Sequence, residues 1–144
     1  MAKQRHRGFT LVEVLIVVVI MAILAAAVIP QFTDSANDAR ASTSLMNLQT
    51  LRGQIQLYRL QHAGATPSAN LSELLIQTDV SGAAGTDFGP YLQFLPQNPF
   101  TNSAKVTASA ANPPAAASGA ADAGWLFHAA SGNIWIDHAD YLTQ

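Results

Sequence analysis

The chain predicts an α+β subunit in which one long N-terminal helix, apolar in its first half and amphipathic in its second, packs on a small antiparallel β-sheet. Three observations predict it. Residues 9–29, FTLVEVLIVVVIMAILAAAVI, carry a single charge, Glu13. Leu45, Leu48, Leu51, Ile55 and Tyr58 then recur at steps of three, three, four and three, the spacing of one helix face. Near the C-terminus the runs WLFH and NIWI, rich in aromatic and aliphatic residues, flank the turn AASG.

The apolar run is the first element. At about 1.5 Å per residue its 21 residues reach about 30 Å as a helix, enough to cross a bilayer. Lys3, Arg5 and Arg7 precede it without an acid, whereas Arg40, Arg52, Arg59 and Lys105 share the rest of the chain with nine acids. The positive-inside rule keeps such a basic start cytoplasmic. Three readings compete: a permanent transmembrane anchor, a secretory signal peptide cut near Ala25, Ala26 and Ala27, and a segment cut at its cytoplasmic edge. The length of the run, and helical periodicity that continues past the alanines, weigh against the signal peptide.

Glu13 separates the other two. A carboxylate in an apolar helix costs about 2.5–3.5 kcal/mol at mid-bilayer and less near an edge. Either it reaches headgroups and water, or it has a cationic partner. A cut between Gly8 and Phe9 creates an ammonium four residues before Glu13, on the same chain or on a neighbouring copy. Such a pair sets axial register, because a mismatch leaves a charge uncompensated.

RGFTLVEVLIVVVIMAILAAAVIP resembles the processing motif and hydrophobic helix of type IV pilins and type II secretion pseudopilins. It joins a basic leader, Gly8 before the cut, Phe9 after it, Glu13 at the fifth mature position and about twenty apolar residues, with Pro30 where many members carry a proline. The resemblance implies that a prepilin peptidase cuts after Gly8 and methylates the amine of Phe9. It also implies three parts: a cytoplasmic leader over 1–8, a transmembrane and filament-core helix over 9–30, and a periplasmic pilin-like domain over 31–144.

The amphipathic second half of the helix runs from Gln31 to His62. Its stripe must bury against something, most simply the C-terminal sheet. Pro30 is expected to kink or break the helix, either as a boundary or, as the family suggests, as a flexible point in a filament. Gly53 falls inside the pattern at a cost of about 1 kcal/mol relative to alanine. Gly64 and Pro67 read as the stop.

Asn70 and Glu73 have capping-box spacing and predict a short helix through about Thr78. DVSGAAGTDFGP, residues 79–90, reads as a turn-rich loop. In YLQFLPQNPF two prolines forbid an interior strand, so Tyr91, Phe94, Leu95 and Phe100 are expected to pack irregularly over the helix. Residues 103–123 predict an exposed, mobile loop with a short strand around Lys105, Val106 and Thr107. The hairpin over WLFH and NIWI is expected to cover the helical stripe with its aromatic face. GPYLQFLPQNPF and GWLFHAASGNIWI are similar, more loosely, to the corresponding segments of major pseudopilins.

Chemistry is sparse. The 144 residues include no cysteine, which excludes disulfides and Cys-based zinc or redox sites. A net charge of −2 and dispersed bases give nucleic acid no patch. His128, Asp137, His138 and Asp140 match no defined metal spacing, and no enzyme motif is visible. The resemblance raises calcium, for which Asp137 and Asp140 are the nearby carboxylates, but six to eight oxygen ligands are hard to assemble from two side chains. No cofactor is expected.

The family therefore implies a non-enzymatic structural subunit, first anchored in the inner membrane, then assembled as a homo-oligomeric filament. Its implied partners are a prepilin peptidase, an inner-membrane platform with its ATPase, and minor pilins or pseudopilins. The missing cysteine pair leans toward a major pseudopilin of type II secretion. A type IV pilin of a surface pilus is the alternative, and a membrane-anchored binding protein or enzyme is the alternative of another class.

Overall fold

A computed structural model describes residues 8–142. The basic leader residues Lys3, Arg5 and Arg7 lie outside them. The elements run in the order α1 (Leu11–Gln61), a 3-10 turn (Ser72–Leu75), β1 (Val106–Ala108), β2 (Trp125–His128), β3 (Asn133–Ile136) and a second 3-10 turn (Ala139–Tyr141). By compactness the chain divides between Ala39 and Arg40.

On the N-terminal side of that division stands the apolar part of α1, with every residue from 11 to 29 exposed. Its most apolar eighteen residues have a mean hydropathy of 3.1. The expected break at Pro30 is absent, and residue 30 is helical within a 51-residue element. A proline deletes its own backbone donor and crowds the carbonyl four residues back, a local cost that helix propagation on both sides carries the structure across. Just beyond it, the hydroxyls of Thr33 and Ser35 donate to the carbonyls of Ile29 and Gln31 at 3.3 and 3.0 Å.

On the other side the 40–61 stretch of α1 makes one wall of a packed domain. Ser44, Leu48, Leu51, Ile55, Tyr58 and His62 are buried at steps of four, three, four, three and four. The helix ends with Ala63 at φ 52° and Gly64 at φ 88°, and the Gly64 amide reaches back to Arg59 O at 2.8 Å. This six-to-one bond places the left-handed cap on Ala63, one residue before the expected glycine.

The sheet has the order β1-β2-β3. β2 and β3 form the expected antiparallel hairpin, with Trp125 opposite Ile136 and Phe127 opposite Ile134. Gly132, at φ 76°, takes the left-handed position its turn needs, and its amide bonds His128 O at 2.9 Å. β1 lies one residue later than predicted and pairs parallel to β2, so the sheet is mixed rather than wholly antiparallel. The long 109–124 connection allows a crossover that a tight hairpin would forbid.

Alternation divides the hairpin between two faces. Trp125, Phe127, Ile134 and Ile136 pack with the helical stripe, together with Leu71 and Leu74. Leu126 and Trp135 face the other way and meet Leu142. The aromatic cover is therefore split, with Trp135 away from the helix.

Loops close the domain. Tyr91, Leu92, Leu95 and Phe100 pack on the core as irregular chain, but Phe94 is 72% exposed and Leu92 takes the place expected for it. The Ser72–Leu75 turn ends three residues before Thr78, and it follows Leu71 in a left-handed conformation. Asn70 Oδ1 does accept the Ser72 amide at 3.2 Å, while Glu73 reaches past Asn70 to the Ser68 amide at 3.1 Å. Asn98 is fully buried where three segments meet. Its side chain donates to Gly124 O at 2.9 Å and accepts from Phe100 N at 3.0 Å and Ser44 Oγ at 3.4 Å. The 103–123 loop is tied down by Lys105 on Asp122 at 2.6 Å and by Ser118 on Asp137.

Candidate processing and assembly site

Gly8 and Phe9 precede α1 in exposed, non-helical chain, and Phe9 is 86% exposed. A peptide bond there is free of helix hydrogen bonds and open to a protease. A methyl group added at Gly8 would meet nothing within 4 Å, so packing among the described residues makes no demand for glycine at that position.

Thr10 and Glu13 form a reciprocal cap. The Thr10 amide and hydroxyl donate to Glu13 Oε2 at 2.8 and 2.9 Å, and the Glu13 amide donates to Thr10 Oγ1 at 3.2 Å. This is a capping box, which satisfies two donors that a helix start otherwise leaves open. The Thr-x-x-Glu spacing carries that signal, and attention to Glu13 as a charge alone misses it. Both bonds fall on Oε2. Oε1 accepts no hydrogen bond among the described residues.

The four residues weighed for a metal do not form a site. His128 Nδ1 bonds Ser131 Oγ at 2.8 Å. His138 stacks on Phe100 with ring centroids 4.3 Å apart and lies 3.7 Å from the exposed Asp140. Asp137 is 6% exposed, and its carboxylate takes the Ser118 amide at 2.7 Å on one oxygen and the Ser118 hydroxyl on the other. Among the described residues no three His, Cys, Asp or Glu side chains come together. Asp137 works as a latch between the 103–123 loop and the end of β3.

Comparison with known proteins returns to the N-terminus. A sequence profile described as the prokaryotic N-terminal methylation motif matches residues 3–29. The chain is similar to type II secretion system core protein G of Klebsiella michiganensis, 31% identical over 69% of this chain and 72% of that protein. It is 28% identical to the protein of the same name from Klebsiella pneumoniae, over 67% of this chain and 71% of that one. A fimbrial protein of Neisseria meningitidis is 35% identical, but over 54% of this chain and 45% of its own length. No solved structure matches significantly. A shared processing motif, a long helix with an apolar first half, a small mixed sheet, and similarity running well into the domain lead to one conclusion: the chain belongs to the family of type II secretion system core protein G, the major pseudopilins.

Proposed function

We propose that the chain is cut between Gly8 and Phe9, is held in the inner membrane by residues 9–30, and is then built as the repeating subunit into a type II secretion pseudopilus. Residues 31–144 stand on the periplasmic side. The observation that carries this reading is the complete exposure of an apolar helix: nothing among the described residues covers 11–29. Exposed apolar surface costs about 25 cal/mol per Å² in water, so lipid covers the segment first and copies of itself cover it after extraction.

Glu13 supports the same sequence of events. Cleavage frees an α-amine on Phe9, next to the Thr10 groups that already hold Oε2. Oε1 is then available to an ammonium, from the same chain or a neighbour, and the pair enters the filament core with its charges balanced. The work is structural, without catalysis. The partners this requires are a prepilin peptidase, an inner-membrane platform with its ATPase, and minor pseudopilins. A surface pilin is the second reading, favoured by the likeness to the fimbrial protein.

Immunogold microscopy of cells overproducing the chain with its assembly machinery tests the choice. Short periplasmic filaments carrying the label are expected. Long surface fibres that persist without a secretion channel would favour the pilin, and label confined to the membrane as single subunits would remove both.

A further inference from the structure

Arg59 stands in the last turn of α1 with donors to spare. Its Nη1 donates to Ser131 O, on the turn between β2 and β3, at a long 3.3 Å. Nε is shut off from solvent and meets no acceptor among the described residues. Nη2 makes no hydrogen bond among them either, and the side chain lines an open groove with Gln56, Leu60, Ala63 and Gly64. That groove holds no carboxylate. A half-buried guanidinium ordinarily meets one, because its two-pronged edge matches the two oxygens of a carboxylate. The helix dipole accounts for a base in the last turn, but it uses none of these donors.

Asp34 and Asp38 are the matching half. Both are exposed, one turn apart on α1, and neither meets a base or a hydrogen-bond donor among the described residues. Like charges so spaced repel, and Gln31, Asn37, Ala41 and Ser42, three or four residues away, supply no cation. Glu13, Glu73, Asp79, Asp122 and Asp137, by contrast, each accept a hydrogen bond within the chain. The two aspartates precede Arg59 by about six to seven turns of the same helix, so no chain pairs the two sets by itself.

We propose that the Arg59 groove receives Asp34 and Asp38 of a second copy of the chain. The inference rests on the filament reading above, which lays copies side by side with a repeated shift along their helices. Charge complementarity picks the occupant: a guanidinium with open donors on one copy answers an uncompensated pair of carboxylates on the next. Lys105, the other base whose acid is on the page, is already taken by Asp122 at 2.6 Å. The contact joins two different patches, so it propagates from copy to copy instead of closing as a dimer. A single exposed ion pair contributes little, but this one recurs at every subunit.

The test uses the full chain, expressed with its machinery, and reads cleavage, membrane insertion, melting and filament yield together. Arg59→Asp should lower yield about fivefold or more, and so should Asp34→Asn combined with Asp38→Arg. Cleavage and insertion should stay as they were, since Lys3, Arg5 and Arg7 still outnumber the one new base. All three substitutions together should restore yield to within about twofold, the coupling that a direct pair produces. Loss of the bond to Ser131 would show in the melt, and substitutions at 34 and 38 would not relieve it. Because the chain has no cysteine, a chain carrying both Asp38→Cys and Arg59→Cys should give a ladder of disulfide-linked multimers, and either substitution alone should give none. Full yield from both charge variants, or a loss that the combined variant leaves in place, would overturn this contact while leaving the filament standing. Dimers from one cysteine alone, without a ladder from the two, would overturn it as well. An unaltered chain that makes no filament would remove the filament reading, and the contact with it.

Discussion

Residues 11–29 and residues 40–61 belong to one helix and meet opposite conditions. The first stretch is apolar all round and exposed all round, so it is complete only inside lipid or among copies. The second is apolar along a narrow stripe, and that stripe is already covered by Trp125, Phe127, Ile134 and Ile136. On the reading proposed above, the first stretch governs anchoring and assembly, while the buried stripe of the second governs folding. Substitutions in the first stretch should leave the melt nearly untouched, and substitutions in the buried stripe should leave cleavage and insertion nearly untouched, and that separation can be broken experimentally.

The largest effect belongs to the N-terminal stretch. Gly8→Leu is expected to abolish mature product, read as uncut precursor on a gel, while the domain melts as before. Glu13→Ala should insert and be cut, yet lose about tenfold or more in filament yield, because the Phe9 ammonium is left unpaired in an apolar bundle. The core comes next. Leu51→Ala, at a fully buried position, should lower stability by about 2–5 kcal/mol in denaturant melts, whereas Val18→Ala should leave the melt unchanged. Asn98→Ala should cost about 1–3 kcal/mol, because it strands the Phe100 amide and removes one of the two donors to the Gly124 carbonyl.

The smallest effects are electrostatic. The Ser81 hydroxyl, bonded to Asp79 at 2.6 Å, holds that carboxyl below the ordinary aspartate range, and the hydrogen bond from Lys105 does the same for Asp122. A lowered folded pKa contributes stability above the unfolded value of about 3.9 and loses it as pH falls through the folded value. Asp79→Asn should therefore melt slightly lower at neutral pH, with the gap closing as pH falls below about 3.9. Asp122 is exposed and Asp79 only half-buried, so neither contributes much to stability. Since both Asp137 oxygens hold Ser118, Asp137→Asn should lower the melting temperature.

Much of this was legible because helix periodicity depends on local chemistry. The apolar run, helical from Leu11 rather than Phe9, the Leu48 to Tyr58 stripe, and the WLFH and NIWI hairpin all stand where their spacing places them. The parallel pairing of β1 was not, because pairing direction depends on how a long loop returns. Nor was Asn98, since an asparagine between two prolines reads as a turn until Ser44, Phe100 and Gly124 close around it. Phe94 and Leu92 exchange roles because irregular chain has no period that assigns faces. At the proposed processing site Gly8, Phe9 and Glu13 come from the resemblance that the N-terminal motif carries, whereas the bond from Thr10 to Glu13 needed a capping rule applied at the edge of an apolar run.

Intact mass and N-terminal analysis of the protein recovered from membranes tests the central claim most directly. The account predicts one mature species beginning at Phe9 with a methylated amine. A species beginning after the alanines at 25–27, or an uncut chain still carrying Lys3, Arg5 and Arg7 in cells that hold the peptidase, would contradict it.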